Sequence, residues 1–192
     1  IAIRFKSCYH WALLVIKMLR IIYKGLSISL VTVFLIVGGW YTVSFLPYKH
    51  EIIGDIDSGK NQLNGNSSVV YDLAIAAESK SGLSRYAAKG AYYNLSYKHL
   101  NKPNNTKWHL NQVLWQVAMT VHFSKQDIFY LWGLYSKVNG LAIQYFEMPI
   151  LQLPFDKQAQ IVSMVKAPKL YLPESERGNQ RLRWVLDRYN DL

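Results

Sequence analysis

Cysteine is almost absent from this chain: Cys8 is the only one among 192 residues. A single thiol makes no internal disulfide, and no cysteine or histidine spacing resembles a metal site, so disulfide scaffolds and zinc modules are excluded. Acid is absent from the front. Arg4, Lys6, Lys17, Arg20 and Lys24 precede residue 25 with no Asp or Glu among them, and all twelve acidic residues come later. Alternating apolar and polar runs of strand length are also missing, which makes the chain predominantly α.

What is present in quantity is an uncharged apolar run. Residues 25–47, GLSISLVTVFLIVGGWYTVSFLP, contain no charged side chain. About 20 apolar residues rising 1.5 Å each cross a hydrocarbon core of about 30 Å, so the run predicts one membrane-spanning helix. Ser27, Ser29, Thr32, Thr42 and Ser44 are expected to bond back to their own helix carbonyls, and Trp40 and Tyr41 suit the outer interface. The one-sided charge keeps residues 1–24 in the cytoplasm and places the remainder outside. The run is too long for a cleaved signal peptide, and bulky Tyr48 and Lys49 follow it rather than a small-residue cleavage site. An uncleaved anchor is therefore expected. The chain opens on Ile1 rather than Met, and a few residues are expected ahead of it.

The formal charge of +10 divides equally between the lead-in and the part beyond the span. A modestly basic domain tethered to a bilayer is expected to meet anionic head groups or phosphate-bearing lipids, whereas the outer location denies it nucleic acid. Enough chain remains beyond the anchor for one domain with a core.

Residues 10–24 carry Lys17, Arg20 and Lys24 on one face; they lie along the inner interface, extend the span or, the preferred reading, form a basic flank that only fixes topology. Residues 48–67 are rich in Gly, Asp, Asn and Ser and predict a linker. Ser67 or Ser68 then caps a helix with Val69, Val70, Leu73, Ala76 and Ala77 on one side, ending near Gly82. Glu78 falls in its last turn, where the helix dipole disfavours a carboxylate. Residues 84–100 read as a Tyr-rich helix, with ring packing preferred over sugar stacking. After a break at 101–105, Leu110, Leu114, Val117 and Val121 predict a core-facing helix. Ser124 with Asp127 makes a capping box, ahead of Ile128, Leu131 and Tyr135. Gln158, Ile161, Val162 and Val165 mark another helix, and Leu182, Val185, Leu186 and Tyr189 a last one.

From Phe123 onward the order of residues resembles the carboxy-terminal half of the peptidoglycan glycosyltransferase domain (glycosyltransferase family 51), found in monofunctional transglycosylases and class A penicillin-binding proteins. Ser124-Lys125-Gln126-Asp127-Ile128 is similar to the family's S-K-[DE]-E-I. YFEMPILQLPFDKQAQIVSMVKAP, from Tyr145 to Pro168, resembles its YFGK…L…EAA.LA.L.KAP stretch without a gap. Tyr171 and Pro173 match Y-x-P, and RLRWVLDR, from Arg181 to Arg188, resembles R-R-x-x-V-L followed by D-R. Four matches in order are far more specific than any one alone.

The front half departs from the pattern. Gln112 stands where the third motif has Glu, and His109 where it has Lys. Ala77-Glu78-Ser79 aligns with the start of E-D-x-x-F, keeping only Glu. AAKGAYYN, from Ala87 to Asn94, falls where the family has G-G-S-T-I-T-Q-Q. In the fourth motif Tyr130 and Leu134 replace Glu and Asn.

The resemblance implies a lysozyme-like α-helical domain over residues 68–192 behind the 25–47 anchor, in a bacterial plasma membrane. It implies hexosyl transfer with inversion between lipid-linked disaccharides, in cell-wall synthesis. Glu78 would be the catalytic base, and Lys125, Arg181, Arg183, His109 and Gln112 would bind substrate, with Lys89, Lys98 and Lys107 close in sequence. Lys and Arg, or a divalent ion such as Mg²⁺ or Mn²⁺, would stabilise the leaving pyrophosphate, and no residue is assigned to hold a metal. The implied partners are lipid-linked precursor, glycan chains, the membrane and other cell-wall synthesis proteins. Two readings compete. A catalytically silent relative would bind precursor, glycan or a partner, and a lytic transglycosylase would share the Glu-Ser pair at Glu78 and Ser79.

Overall fold

The computed structural model describes residues 2–63, 67–99 and 105–192, with side chains from residue 17 onward except at residue 99. Among the described residues there is no strand, and nine α-helices carry the chain: α1 (Ala2–Ser44), α2 (Lys49–Gln62), α3 (Ser68–Glu78), α4 (Lys80–Ala91), α5 (Asn105–His122), α6 (Lys125–Ser136), α7 (Val138–Phe146), α8 (Phe155–Met164) and α9 (Glu176–Asn190). The chain divides into two compact units, residues 1–46 and 47–192.

The first unit is α1. It takes in the basic stretch 10–24 as well as most of the apolar run, so that stretch continues the helix. It contains an 18-residue window of mean hydropathy 2.0, long and apolar enough to cross a membrane by length and composition. Membrane spans and signal sequences share that property. The hydroxyls of Ser27 and Thr32 donate to the carbonyls of Tyr23 and Ile28, each at 2.9 Å, and Thr42 donates to Gly38 at 3.1 Å. Polar side chains inside an apolar helix are thereby satisfied without a partner element.

The second unit is built around α6, which packs against both α2 and α4. Ile128, Phe129, Leu131 and Trp132 of α6 are buried, and the Phe129 and Trp132 rings stack with centroids 5.8 Å apart. The expected capping box is in place: Ser124 Oγ accepts from the Asp127 N–H at 3.1 Å, and Asp127 accepts from the Ser124 N–H at 2.9 Å. The expected helices at the carboxyl end appear as α8 and α9, with Gln158, Ile161, Val162, Val165 and Val185 buried.

The linker expected over 48–67 is corrected. Most of it is α2, whose Ile52, Ile56 and Gly59 are buried. These recur at helical spacing among turn-favouring Gly, Asp and Asn. Burying each Ile stabilises by about 1.5–3 kcal/mol, which outweighs the propensity cost of a helical Gly at about 1 kcal/mol. The Tyr135 hydroxyl donates to the Asp55 carboxylate, tying α6 to the same helix. Burial first, and then the Asp55 carboxylate, hold that hydroxyl above its ordinary titration range. The remaining part of the expected linker, 64–66, lies outside the described residues, as does 101–104 of the expected break.

Gly59 sets the distance between α2 and α6, because a Cβ there would run into the Tyr130 backbone carbonyl. Gly59→Ala is therefore expected to destabilise the domain by about 1–3 kcal/mol despite the better helix propensity of Ala, read as a lower urea midpoint with unchanged slope. An unchanged or raised midpoint would contradict this packing.

Helix α5 also differs from expectation. Its buried residues are Trp115, Ala118 and Met119, whereas Leu110, Val117 and Val121 point outward and are exposed. The helix is apolar on two sides, and the side with Trp115 and Met119 takes the interior. Tyr92, Tyr97, Trp108 and Trp115 form a contiguous ring cluster, with Tyr97 and Trp108 centroids 4.2 Å apart, as the packing reading of the Tyr-rich segment requires. That segment begins at Lys80 and widens into a π-helical turn at Tyr92–Ser96.

Candidate functional site

The site is made by the way α3 stops. Val70, Leu73, Ala74 and Ala77 bury α3 among α4, α8 and α9. The helix ends at Glu78, four residues before the expected Gly82, because Ser79 adopts φ 66° and ψ 164°. A serine at positive φ is strained, by about 1–3 kcal/mol, and such residues cluster at functional sites. Ser79 serves both neighbours. Its N–H donates to the Ile75 carbonyl at 2.8 Å, closing α3, and its Oγ accepts from the Gly82 N–H at 3.2 Å, opening α4. Gly82 lets α4 start this close, since a Cβ there would meet the Glu78 Cβ at 3.2 Å.

Glu78 therefore sits at a helix–helix corner with its carboxylate turned into the protein. The side chain is 13% exposed, and Oε1 is buried without a hydrogen-bond partner. Arg181 of α9 lies behind it. One guanidinium nitrogen donates to the Ala77 carbonyl at 2.8 Å and stands 3.9 Å from Glu78 Oε1. The guanidinium lies over the Trp184 ring at 4.0 Å, and Arg188 covers the same ring at 4.6 Å. Burial pushes the Glu78 carboxyl above its ordinary range, and Arg181, Lys166 and Arg188 oppose that push without cancelling it. The negative end of α3 acts in the same direction as burial.

In front of Glu78 opens a cleft of about 450 Å³ lined by Glu78, Ser79, Ser81, Gly82, Arg85, Tyr86, Lys89 and Lys166. It brings one acid against three cations. A second hollow of about 250 Å³, lined among others by Tyr93, Asn94 and Tyr135, shares Tyr86, Lys89 and Lys166 with it. Half-buried Tyr86 has its hydroxyl pushed up by desolvation and then by the Glu78 charge, so it stays a neutral donor. This arrangement suits a proton transfer beside an anionic group. A carboxylate held above its ordinary range is a stronger base than a solvated one, and the cations offset charge on a phosphate.

Of the residues expected from sequence, Glu78 and Arg181 come together. Arg181 points at Glu78 and the Ala77 carbonyl rather than lining the cleft. Lys125 lines a different, apolar hollow. Arg183 and His109 are exposed on α9 and α5, and Gln112 is half-buried on α5 with Nε2 lacking a partner. None of these three lines the cleft. Sequence reasoning passed over Arg85, Tyr86 and Lys166. Lys166 was marked by the matched Lys-Ala-Pro, and Gly82, Arg85, Tyr86 and Lys89 recur at helical spacing along one face of α4. A divalent ion is not supported by the donor set, because Glu78 is the one acid lining the cleft and no group of three His, Cys, Asp or Glu gathers among the described residues.

Removing the Arg181 charge is expected to raise the Glu78 pKa further. In Arg181→Met, the carbon chemical shift of the Glu78 carboxyl should titrate at higher pH than in the parent, with Arg181→Lys in between. A downward shift would show that Arg181 does not act on Glu78.

No family model, curated protein or solved structure matches this chain.

Proposed function

We propose that the protein is a membrane-anchored glycosyltransferase-like protein of cell-wall synthesis, acting on lipid-linked disaccharides outside the bacterial plasma membrane. The observation that carries this is Glu78, a desolvated carboxylate at a strained helix end facing Arg85, Lys89 and Lys166 across one cleft. The ordered motifs from Ser124 to Arg188 support the same reading, and so does the position of Glu78 at the end of α3. In the reaction, the 4-hydroxyl oxygen of the acceptor sugar bonds to the anomeric carbon of the glycan donor. The bond from that carbon to the lipid pyrophosphate breaks, and the hydroxyl proton passes to Glu78. Arg85, Lys89 and Lys166 offset the charge gathering on the pyrophosphate. On this reading α1 is an uncleaved anchor, with its amino end cytoplasmic.

A second reading, binding without turnover, is favoured by Gln112, an amide where the third motif has a carboxylate. Incubating the full chain in lipid nanodiscs with lipid-linked disaccharide separates the two. Glycan polymer is the expected product. Retained precursor with no polymer at any Mg²⁺ or Mn²⁺ concentration would favour the silent binder, and anhydro-sugar release from cell wall would replace both with a lytic enzyme.

A further inference from the structure

The outward face of α5 is an exposed apolar stripe. Leu110, Val113, Val117 and Val121 are 59%, 57%, 58% and 75% exposed. At spacings of three and four residues they follow one another along a single side of the helix. Scattered apolar side chains on a surface are ordinary, but a continuous row of four has a cause.

The stretch of chain that carries the stripe holds charge of one sign. Residues 79–126 contain seven Lys or Arg and no Asp or Glu. Beside the stripe, α4 and α5 border an apolar hollow of about 360 Å³ whose walls include Ile75, Leu83 and Ile128, with Lys80 and Lys125 among its lining. Lys80, Lys107 and Lys125 make no ion pair among the described residues.

We infer that this face of α5 docks on an anionic lipid bilayer, its Leu and Val side chains entering the head-group boundary while the surrounding lysines meet lipid phosphates. An apolar stripe flanked by Lys and Arg is the pattern of helices that lie in a membrane interface. A second copy of this chain is the wrong occupant, because Lys80, Lys107 and Lys125 of one copy would meet the same lysines of the other. A protein partner fits poorly as well, since Leu and Val are under-represented among the residues that anchor protein interfaces. The inference rests on the anchor reading, which keeps the domain within reach of the bilayer.

The test uses the full chain carrying Cys8→Ser and Val117→Cys, labelled at residue 117 with a polarity-sensitive fluorophore. It is reconstituted into vesicles of phosphatidylcholine alone or mixed with phosphatidylglycerol, with a quencher on the acyl chains. Asn179→Cys on α9 is the reference position. Quenching at residue 117 is expected to exceed that at 179 by about twofold or more in anionic vesicles, and to weaken in neutral vesicles and at high salt. With the label at Val121→Cys, adding Val113→Asp and Val117→Asp is expected to abolish the quenching while the far-ultraviolet circular dichroism stays unchanged. Equal quenching at 117 and 179 in anionic vesicles, with the chain resistant to carbonate extraction, would overturn the docking and leave the anchor standing. Extraction of the chain by carbonate would overturn the anchor and the docking together. Shielding at 117 without acyl-chain quenching, accompanied by 117–117 crosslinks, would replace the bilayer with a second copy.

Discussion

Glu78→Gln is expected to lower the rate of glycan polymer formation by about 10²- to 10⁴-fold, the range for removing a positioned general base. The amide keeps the size and buried position of the side chain but takes no proton. Burial raises the Glu78 pKa in the folded chain, so over a window of pH the folded state holds a proton that the unfolded state has released. The stability tied to this group is therefore full below the ordinary carboxylate range and declines as pH rises through the folded value. Gln carries no such decline. The variant is expected to melt above the parent at about pH 8 and to match it at about pH 4, while losing activity at both. Thermal melts across pH, paired with the polymer assay, read both effects. Retained activity would remove Glu78 from the chemistry, and an unchanged stability gap from pH 4 to 8 would remove the desolvation argument.

Trp132→Ala is expected to cost about 3–5 kcal/mol, the range for emptying a fully buried aromatic site. Trp132 is fully buried on α6, the helix held between α2 and α4, and stacks on Phe129, which in turn meets Tyr71 of α3 edge-on with centroids 5.2 Å apart. The cavity would thus loosen the element that precedes Glu78. With total stabilities of about 5–15 kcal/mol in domains of this kind, such a loss leaves the second unit marginal. Urea denaturation should show the fall in midpoint. Trp132→Phe is expected to lose less, because it keeps a ring against Phe129. A change below about 1 kcal/mol for Trp132→Ala would mean that α6 is not the packing centre.

Several parts of this architecture were legible in the residues because their signals are local. An uncharged run of this length makes α1 a helix whatever surrounds it, and Ser124 with Asp127 marks the start of α6 through bonds three residues apart. Glu78 stood out as an acid at a helix end, and it is at the end of α3. Where the reading failed, the deciding contact was distant in sequence. Turn-favouring residues disguised α2, whose Asp55 finds its partner at Tyr135, eighty positions on. Arg181 reaches the Ala77 carbonyl from 104 positions away, so its motif match marked a residue of interest without revealing that it supports Glu78 from behind.

Helix α5 shows most directly where a sequence stops being sufficient. Its periodicity predicted a helix with Leu110, Leu114, Val117 and Val121 inward, but which side turns inward depends on what the neighbouring helices offer. Trp115 packs beside Tyr48 and Tyr92 and Met119 is buried with it, and the Leu and Val stripe is left outside. From the residues alone followed the helical class, the apolar first helix, the cap of α6 and the prominence of Glu78, all properties of neighbours along the chain. The tertiary structure decided the inward face of α5, the grouping of Arg85, Lys89 and Lys166 before Glu78, and the exclusion of Lys125 from that cleft. Such placements depend on packing between helices far apart in the chain, where shape and burial outweigh local preference.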